Sequence, residues 1–327
     1  MKKKVRAIGL ISGGLDSILA VKVIQSQGIK VTGLCFTCPF FGSQHAKAAA
    51  KGLNIPLIVK DFTEDHFLIV KNPPHGYGKT MNPCIDCHAL MLKIAGQLME
   101  NKGFDFIFTG EVLNERPLSQ NRQSLHVVAN TSGYEKYIVR PLSAKLLDET
   151  EPEKKGLLNR QALLDIQGRS RKRQISLAQE FDIKEYPNPA GGCLLTDRAF
   201  SNRLKELLEH NVDPAYFELQ LLRFGRHFRV SSHSKLVVGR DELENGIIEK
   251  FIIEGSFLFR TDEVPGPVCL LVGPDAKEHL DAAACICANY SDTKDKTECK
   301  VMCEQADKYR EITVITDKAF REKGRIN

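Results

Sequence analysis

A short glycine-rich turn near the N-terminus carries residue types that can bind phosphate. Residues 12–17 read Ser-Gly-Gly-Leu-Asp-Ser, after an apolar run over residues 5–11 and before apolar residues at helical spacing. Glycines let backbone N–H groups approach a ligand closely, and a helix start favours anions. A plain strand-to-helix turn would explain the two glycines alone, but the full string is more specific. It predicts a nucleotide or pyrophosphate site at Ser12, Gly13, Gly14, Asp16 and Ser17.

Asp16 is the unusual member of this turn. A carboxylate among phosphate-binding groups is unfavourable unless it binds a metal ion or caps an amide. No Gly-Lys-Ser/Thr follows the glycines, so the turn is not a Walker loop. We expect Asp16 to bind magnesium or to position pyrophosphate.

Three cysteines form the second candidate site. Cys84 and Cys87 have C-x-x-C spacing just before a predicted helix, whose N-terminus favours thiolates. Two ligands do not complete a metal site, and Cys193, in the Pro-Ala-Gly-Gly-Cys loop that ends at residue 193, is the natural third. The alternative is three separate buried thiols.

The other cysteines have weaker patterns. Cys35 and Cys38 repeat the C-x-x-C spacing, but they close an apolar strand, which favours core thiols. Cys285 and Cys287 lie in a predicted packed helix, and the i, i+4 spacing of Cys299 and Cys303 fits one helix face. A zinc site of these last four is an alternative to core or surface thiols, although the spacings match no familiar closed zinc pattern.

Strands and helices alternate through the N-terminal part of the chain. Strands are predicted at 5–11, 30–36, 56–60 and 104–110, with helices after the glycine turn and at 43–53 and 89–103. This order predicts an α/β fold, a doubly wound parallel sheet, over a domain spanning residues 1–200. We expect a loop at 67–80, two short strands within 127–140 and a basic helix around 168–179.

From about residue 201 the pattern changes, and a second, smaller α+β domain is predicted over residues 201–327. It contains a helix to about residue 210 and strands at 235–238, 267–272 and 312–316. Two groups of basic residues suit RNA, although each fits a solvated surface equally well. One group comprises Arg169, Arg171, Lys172 and Arg173; the other comprises Arg223, Arg226, His227 and Arg229, with Phe224 and Phe228 interleaved.

Composition narrows the class of protein. The 327 residues carry a net charge of +5 and ten cysteines. No secretory signal and no apolar stretch near the roughly 20 residues of a membrane span are evident. These features predict a cytoplasmic protein with no membrane association, in which cysteines serve catalysis or metal binding more often than disulfides.

The three motifs together resemble the PP-loop ATP pyrophosphatases, in particular their tRNA thiouridine synthetase branch. The resemblance rests on Ser-Gly-Gly-Leu-Asp-Ser, Asn-Pro-Cys-Ile-Asp-Cys (82–87) and Gly-Gly-Cys (191–193), and it covers roughly residues 4–200. The stretches 110–120 and 140–145 make the chain most similar to compact, iron–sulfur-dependent tRNA 4-thiouridine synthases. The second half differs from the β-barrel tail of the related 2-thiouridylases.

This resemblance implies the PP-loop fold, related to the adenine-nucleotide α-hydrolases, and a reaction. ATP, with Mg²⁺, would adenylate a uridine carbonyl oxygen, and sulfur carried on a [4Fe-4S] cluster would replace it. The implied cluster ligands are Cys84, Cys87 and Cys193, and Gly110 joins the nucleotide-binding residues. The implied partners are tRNA and a sulfur donor, either inorganic sulfide or a cysteine desulfurase product; a homodimer is left open.

Several assignments stay open at this point. Glu111, Asn114, Arg116, Ser119 and Gln120 form either a ligand-binding loop or a polar surface, and Arg140 and Lys145 either contact phosphate or serve another role. Rival functions are a cluster-free persulfide thiouridylase using Cys87 and Cys193, a non-catalytic RNA-binding or sulfur-carrier protein, and a PP-loop ligase acting on a small carboxylate.

Overall fold

The computed structural model of the chain describes residues 4–187, 192–306, 308–318, 321–322 and 324–326. The chain separates into two units, Met1–Thr196 and Asp197–Asn327. In the predicted Gly-Gly-Cys loop, residues 188–191 lie outside the described residues, whereas Gly192 and Cys193 are described. No helix in the described part of the chain is long and apolar enough to span a bilayer.

The N-terminal unit is built on a parallel sheet of five strands in the order β3-β2-β1-β4-β5. The predicted doubly wound α/β fold is therefore confirmed. The strands are β1 (Arg6–Leu10), β2 (Lys30–Thr37), β3 (Leu57–Asp61), β4 (Phe106–Phe108) and β5 (Ile138–Val139).

The described residues of this unit form seven α-helices, which cover both faces of the sheet. Ala7 and Ile8 are neighbours on β1, and their side chains point to opposite faces. Ala7 joins an apolar core with the first and seventh helices, and Ile8 joins a second core with the fourth and fifth. The helices are α1 (Leu15–Gln25), α2 (Gln44–Gly52), α3 (Thr63–Lys71), α4 (Cys84–Lys102), α5 (Arg122–Ser132), α6 (Glu151–Lys154) and α7 (Lys172–Glu180).

Two local predictions in this unit were wrong. Of the two short strands predicted within 127–140, the structure has one, β5; residues 127–132 belong to α5, because Leu125, Val128 and Ala129 recur at helical spacing and are buried. The Asn121 side chain caps this helix by accepting a hydrogen bond from the backbone N–H of Ser124 at 2.9 Å. The predicted loop at 67–80 begins inside α3.

The C-terminal unit contains an antiparallel sheet of seven strands, in the order β11-β10-β8-β9-β7-β6-β12. Helix α11 packs on this sheet through buried alanines and Cys287, so the predicted α+β class is confirmed. The strands are β6 (Arg226–Arg229), β7 (Lys235–Val238), β8 (Phe257–Thr261), β9 (Cys269–Val272), β10 (Glu298–Gln305), β11 (Lys308–Ile315) and β12 (Arg325–Ile326). The helices are α8 (Arg198–His210), α9 (Tyr216–Leu221), α10 (Glu242–Ile248) and α11 (Leu280–Tyr290).

The predicted helix face for Cys299 and Cys303 was wrong. Both lie on β10, where a separation of four residues also places them on one face, and both are buried. Cys287 on α11 lies beside Cys269 of β9 in the same core. Among the described residues, no group of three or more His, Cys, Asp or Glu is arranged to hold a metal ion. The alternative zinc site of Cys285, Cys287, Cys299 and Cys303 therefore has no converging set of ligands among the described residues.

A buried histidine lies in an aromatic group of the N-terminal unit. The His66 ring is fully buried and stacks on Phe62, with a centroid distance of 4.7 Å, and it meets Phe40 and Phe41 edge-on. Neither ring nitrogen has a hydrogen-bond partner among the described residues. Burial lowers the pKa of His66 to about 4.

This burial predicts acid sensitivity. The unfolded chain binds a proton at His66 below pH about 6.5, whereas the folded chain does so only near pH 4, so His66 destabilises the fold as pH falls between these values. We compare the free energy of unfolding of His66→Phe with that of the unmodified protein. The difference should shift in favour of the variant by about 2 kcal/mol between pH 7 and pH 5. Urea unfolding at both pH values measures this, with exposed His126→Gln as the control. An equal pH effect in all three proteins would contradict the assignment.

Candidate functional site

The glycine turn follows β1 and is held by its own serines. Gly13 has a positive φ of 85°, which favours glycine. The Ser17 hydroxyl accepts from the Gly13 N–H at 3.2 Å and donates to the Gly14 carbonyl oxygen at 2.8 Å. The Ser12 hydroxyl accepts from the Gly14 N–H at 3.3 Å. The predicted residues 12–17 therefore form one ordered turn at the start of α1.

Two glycines allow other backbone segments to approach this turn. A Cβ added to Gly13 would lie 2.3 Å from the carbonyl carbon of His45, in the first turn of α2. A Cβ added to Gly110, just after β4, would lie 2.6 Å from the backbone nitrogen of Ser17. Gly110, predicted with the nucleotide-binding residues, therefore lies against the first turn of α1.

The turn lies where the strand order of the sheet reverses. Chain order runs from β1 outward through β2 to β3 on one side, and then crosses to β4 and β5 on the other. In open parallel sheets, ligands bind at the carboxyl ends of strands at such a point. Strands β1 and β4 both end at this edge. The glycine turn, which follows β1, and residues 109–120, which follow β4, therefore border one site.

Asp16 has an environment that fits a bound cation. Its Oδ1 atom is buried and has no hydrogen-bond partner within the described part of the chain. Burial raises the pKa of Asp16, against the opposing effects of Arg171, Gln174 and Arg116 beside it. Oxygen ligands and phosphates are what Mg²⁺ prefers, so this carboxylate fits a magnesium ion that bridges to phosphate.

The cysteine site contains four thiols rather than the predicted three. Cys87 is buried, and its thiol lies close enough to Cys193, Cys38 and Cys84 for each of their charges to raise its pKa, in addition to burial. Cys38, predicted as a core thiol, also lies close to Cys193. Cys35 is buried in the other core, which contains α1.

Backbone N–H groups face two of these sulfur atoms. Burial raises the pKa of Cys38 to about 12, while hydrogen bonds from the N–H groups of Phe40 and Phe41 oppose this increase. Burial likewise raises the pKa of Cys193 to about 11, opposed by the N–H groups of Leu195 and Thr196. N–H donors around sulfur stabilise thiolates and metal-bound sulfur, and they tune iron–sulfur sites.

Backbone contacts join the three segments that supply the cysteines. The N–H of Leu194 donates to the Phe40 carbonyl oxygen at 3.0 Å, which joins the segments after Cys193 and Cys38. The Thr80 hydroxyl donates to the Leu195 carbonyl oxygen at 2.7 Å, and Asn82 donates to the Cys84 sulfur at 3.1 Å. The Asn-Pro-Cys-x-x-Cys segment is therefore fastened to the segment that carries Cys193.

Arg116 lies near both parts of the site. Its charge lowers the pKa of Asp16 in the glycine turn and the pKa of Cys193 in the cysteine site. The side chain is exposed and follows the end of β4. One guanidinium therefore favours the charged forms of both the carboxylate in the phosphate turn and a thiol of the cysteine site.

Glu111 has a positioning role. Its buried carboxylate accepts from Arg140 at 2.9 Å and from Thr109 at 3.0 Å, and lies 3.2 Å from Nδ1 of His88, the residue after Cys87. Burial raises its pKa, but Arg140 and His88 bring it down to about 2. Arg140 is itself buried and also donates to the Leu125 carbonyl oxygen. The predicted contact of Arg140 with phosphate was therefore wrong: Arg140 is a buried partner of Glu111.

Sequence reasoning missed three residues of this site. Cys38 was assigned to the core with Cys35, although its position after the carboxyl end of β2 placed it at the ligand edge. Arg171 was grouped with exposed basic residues, and Gln174 was not considered. Gln174 is fully buried on α7, which packs on α1. For Arg171 and Gln174, the signal in the sequence was the spacing of the apolar residues of α7. This spacing predicts which side of the helix packs on α1, and Gln174 lies on that side.

The donor set fits an iron–sulfur cluster better than a single ion. The described residues include no set of three ligands converging on one metal ion. Cys87 nevertheless lies near Cys38, Cys84 and Cys193, and a cluster spreads its thiolate ligands over several iron atoms. Cys84, Cys87 and Cys193 suffice for a cluster with one open iron, and Cys38 lies beside them.

Two family models match the chain. Residues 3–149 match the model described as "Thiamine biosynthesis protein (ThiI)", and residues 225–323 match "NFACT protein RNA binding domain". The first match includes the glycine turn and Cys38, Cys84 and Cys87. The second lies entirely in the C-terminal unit.

Curated relatives match the N-terminal half. A "Probable tRNA sulfurtransferase" of Bacillus pumilus is 32% identical over 148 residues, 42% of this chain and 35% of the relative. One of Bacillus licheniformis is 31% identical over 155 residues, 45% of this chain and 36% of the relative. The chain thus spans about a third of the length of these relatives.

Solved structures are more distant. A predicted subunit of tRNA methyltransferase from Methanocaldococcus jannaschii has a TM-score of 0.32 at 16% identity, covering 42% of this chain and 67% of that one. The NH3-dependent NAD synthetase of Campylobacter jejuni has a TM-score of 0.35 at 12% identity, covering 68% and 84%. The match of residues 3–149, which include the glycine turn, Cys38, Cys84 and Cys87, to the ThiI model supports the resemblance to the tRNA thiouridine synthetase branch of the PP-loop family that was drawn from the sequence.

Proposed function

We propose that this chain is an ATP-dependent tRNA sulfurtransferase. In this proposal it adenylates a uridine carbonyl oxygen and replaces that oxygen with sulfur carried on a [4Fe-4S] cluster, which gives 4-thiouridine. The relatives named tRNA sulfurtransferases support the reaction class. The glycine turn at the carboxyl end of β1, where chain order reverses, with the buried and unpaired Oδ1 of Asp16, is the single observation that carries the proposal. It supports a site that binds phosphate together with a cation.

The glycine turn supplies the activating part. Backbone N–H groups at the start of α1 bind the phosphates of ATP, and Asp16 holds Mg²⁺ against them. The uridine oxygen attacks the α-phosphorus, the bond to pyrophosphate breaks, and the pyrophosphate stays on the turn. Arg116 and Arg171 lie beside Asp16 and balance the negative charge that develops on the phosphates.

The cysteine part completes the replacement. Cys84, Cys87 and Cys193 would hold the cluster, which would supply an iron able to bind sulfide. Sulfide adds to the activated ring carbon, the carbon–oxygen bond breaks, and AMP leaves with the oxygen. Glu111 keeps His88, and with it the first turn of α4, in place beside Cys87. Cys38 lies next to the ligands without being needed as one.

The partner is tRNA in this proposal, with the C-terminal domain contacting it. The match of residues 225–323 to an RNA-binding domain supports this role. We propose the domain boundary near residue 200, a cytoplasmic location, and inorganic sulfide or a cysteine desulfurase product as the sulfur source. The alternative is a cluster-free enzyme in which Cys87 and Cys193 act as nucleophile and persulfide carrier, giving 2- or 4-thiouridine; the closeness of Cys87 and Cys193 supports it as the second candidate.

Iron content separates these two mechanisms. After anaerobic reconstitution with iron and sulfide, we expect about four irons per chain. Cys84→Ala, Cys87→Ala and Cys193→Ala are each expected to lose most of the iron, because two remaining ligands do not retain a cluster. Iron and sulfide analysis with the visible absorption spectrum provides the measurement.

Two matched variants serve as controls for the iron measurement. Cys35→Ala removes a buried thiol of the other core, and Cys38→Ala leaves three ligands, so both should retain iron. Loss of iron from Cys38→Ala would make Cys38 a fourth ligand. An iron-free protein with full activity would favour the persulfide alternative.

The two glycines of the turn provide a matched pair for ATP binding. Gly13→Ala combines a positive φ with a Cβ placed 2.3 Å from backbone, at a cost of about 1–3 kcal/mol, and should weaken ATP binding at least tenfold. In Gly14→Ala the new Cβ would contact only the Ser12 hydroxyl, at 3.4 Å. The dissociation constant of this variant for ATP should stay within about threefold of that of the unmodified protein. Equilibrium binding with thermal unfolding tests both, and equal effects would show that the turn is not held as described.

Pyrophosphate release and tRNA composition test the whole function. Release should require tRNA, and Asp16→Asn should lower it about 100-fold or more, because the cation loses its carboxylate. Exposed Asp65→Asn on α3 is the control. Mass spectrometry of tRNA nucleosides from cells lacking the protein should show loss of 4-thiouridine. Unchanged thiolated uridines in those cells would refute the proposed function.

A further inference from the structure

One sulfur atom of the cysteine site accepts a hydrogen bond from a side chain. The amide Nδ2 of Asn82 donates to the sulfur of Cys84 at 3.1 Å. The N–H groups that face Cys38 and Cys193, by contrast, belong to the backbone. A backbone donor is present for every residue type except proline, whereas a side-chain donor depends on the residue at its position. Asn82 is therefore a position at which the sequence itself determines the environment of a sulfur atom in this site.

Capping of α4 does not account for this asparagine. Asparagine is favoured at the N-cap of a helix, where its side-chain oxygen accepts from a backbone N–H of the first turn. In α4 the N-cap residue is Pro83, which makes no side-chain hydrogen bond, and Asn82 lies one position earlier. The Oδ1 atom of Asn82 accepts instead from the backbone N–H of Thr80, at 3.1 Å. The oxygen and the nitrogen of this side chain thus face Thr80 and the Cys84 sulfur.

The neighbours of Asn82 fix the orientation of its amide. A backbone N–H can only donate, so the amide atom that faces Thr80 is the oxygen, and the nitrogen then faces Cys84. Gly78 packs against the same amide, where an added Cβ would lie 2.6 Å from Nδ2 and 2.8 Å from Oδ1. The Gly78 N–H also donates to the Asn82 carbonyl oxygen at 3.0 Å. These contacts prevent the amide from turning its N–H group away from the sulfur.

The same contacts connect Cys84 to the segment that carries Cys193. The Thr80 hydroxyl shares its one proton between two acceptors, Oδ1 of Asn82 at 2.9 Å and the carbonyl oxygen of Leu195 at 2.7 Å. Leu195 lies two residues after Cys193 in the chain. The orientation of the Asn82 amide and the position of the Cys193 segment are therefore linked through one hydroxyl group.

Hydrogen bonds to the sulfur ligands of an iron–sulfur cluster help to set its reduction potential. An N–H donor stabilises the more negative, reduced state of the cluster and so raises this potential. We propose that Asn82 is a positioning residue of the iron–sulfur site, which holds the Cys84 sulfur in place as a ligand and, through its N–H donor, raises the reduction potential of the cluster. This inference rests on the proposed function, because it takes Cys84 as a cluster ligand.

Electron–nuclear double resonance of the reduced cluster tests this contact directly. The full chain, with its asparagines labelled with nitrogen-15, is reconstituted anaerobically with iron and sulfide. We expect a nitrogen-15 coupling that Asn82→Ala loses. Asn101→Ala is the matched control and should keep the coupling, because Asn101 is exposed in the last turn of the same helix, about 25 Å along its axis from Cys84. Absence of the coupling from the unmodified chain with its cluster would overturn the contact.

Redox titration of the reconstituted cluster measures the effect on its potential. Asn82→Ala keeps all the cysteines but loses the donor. At a fixed solution potential, its ratio of reduced to oxidised cluster should fall about tenfold, which is about 59 mV for a one-electron couple. Thr80→Val keeps Asn82 but removes the hydroxyl that holds its amide, so the ratio should shift in the same direction by less. Asn101→Ala should leave the potential unchanged.

The outcomes separate this inference from the proposed function. An intact cluster with an unchanged potential in Asn82→Ala would overturn the role of Asn82 and leave the proposed function standing. If Asn82→Ala retains no iron, an unchanged potential in Thr80→Val would overturn that role. An unmodified chain that takes up no iron would overturn the cluster of the proposed function, and this inference with it.

Discussion

A close backbone approach between β4 and α1 in the N-terminal unit controls how its site is built. The segment after β4 crosses the first turn of α1 at Gly110, where even a methyl group would lie 2.6 Å from the Ser17 nitrogen. Any side chain there would separate β4 from the glycine turn. Because β1 and β4 are the strands at which chain order reverses, this contact sets the width of the ligand-binding edge. The positions of Asp16 and Arg116 depend on it.

The cysteine site depends on contacts between segments distant in the chain. Cys38 follows β2, Cys84 and Cys87 open α4, and Cys193 comes more than a hundred residues later. The hydrogen bonds of Thr80 and Leu194 bring these segments together without a disulfide or a continuous element. Thiols held close by backbone contacts remain free for ligands, which a disulfide would prevent.

The sequence predicts the parallel sheet well because periodicity and turn residues act locally. The strand and helix spacing after the glycine turn can be recognised without knowledge of distant contacts, and the same holds for the cysteine motif at the start of α4.

Cys38 and Arg140 were assigned wrongly because their positions depend on distant contacts. Whether Cys38 packs in the core or faces Cys193 is decided by segments 155 residues apart. Whether Arg140 meets phosphate depends on a buried carboxylate at Glu111, which spacing does not reveal. Residues 127–132 show that strand propensity alone is an unreliable guide. Two adjacent valines favour a strand, but the spacing of the other buried residues in this segment is helical.

The two faces of β1 pack in different apolar cores, and each core supports a different part of the candidate site. The core on the Ala7 side holds α1, whose first turn carries Asp16, and the core on the Ile8 side contains Cys87 and the body of α4. Each half of the site is thus supported by its own apolar layer, and the halves meet only at the sheet edge. Loosening of one layer can therefore impair one partial reaction while leaving the other intact. In the proposed function, evolution can retain the nucleotide-activating half while the layer under α4 is remodelled for a different acceptor chemistry.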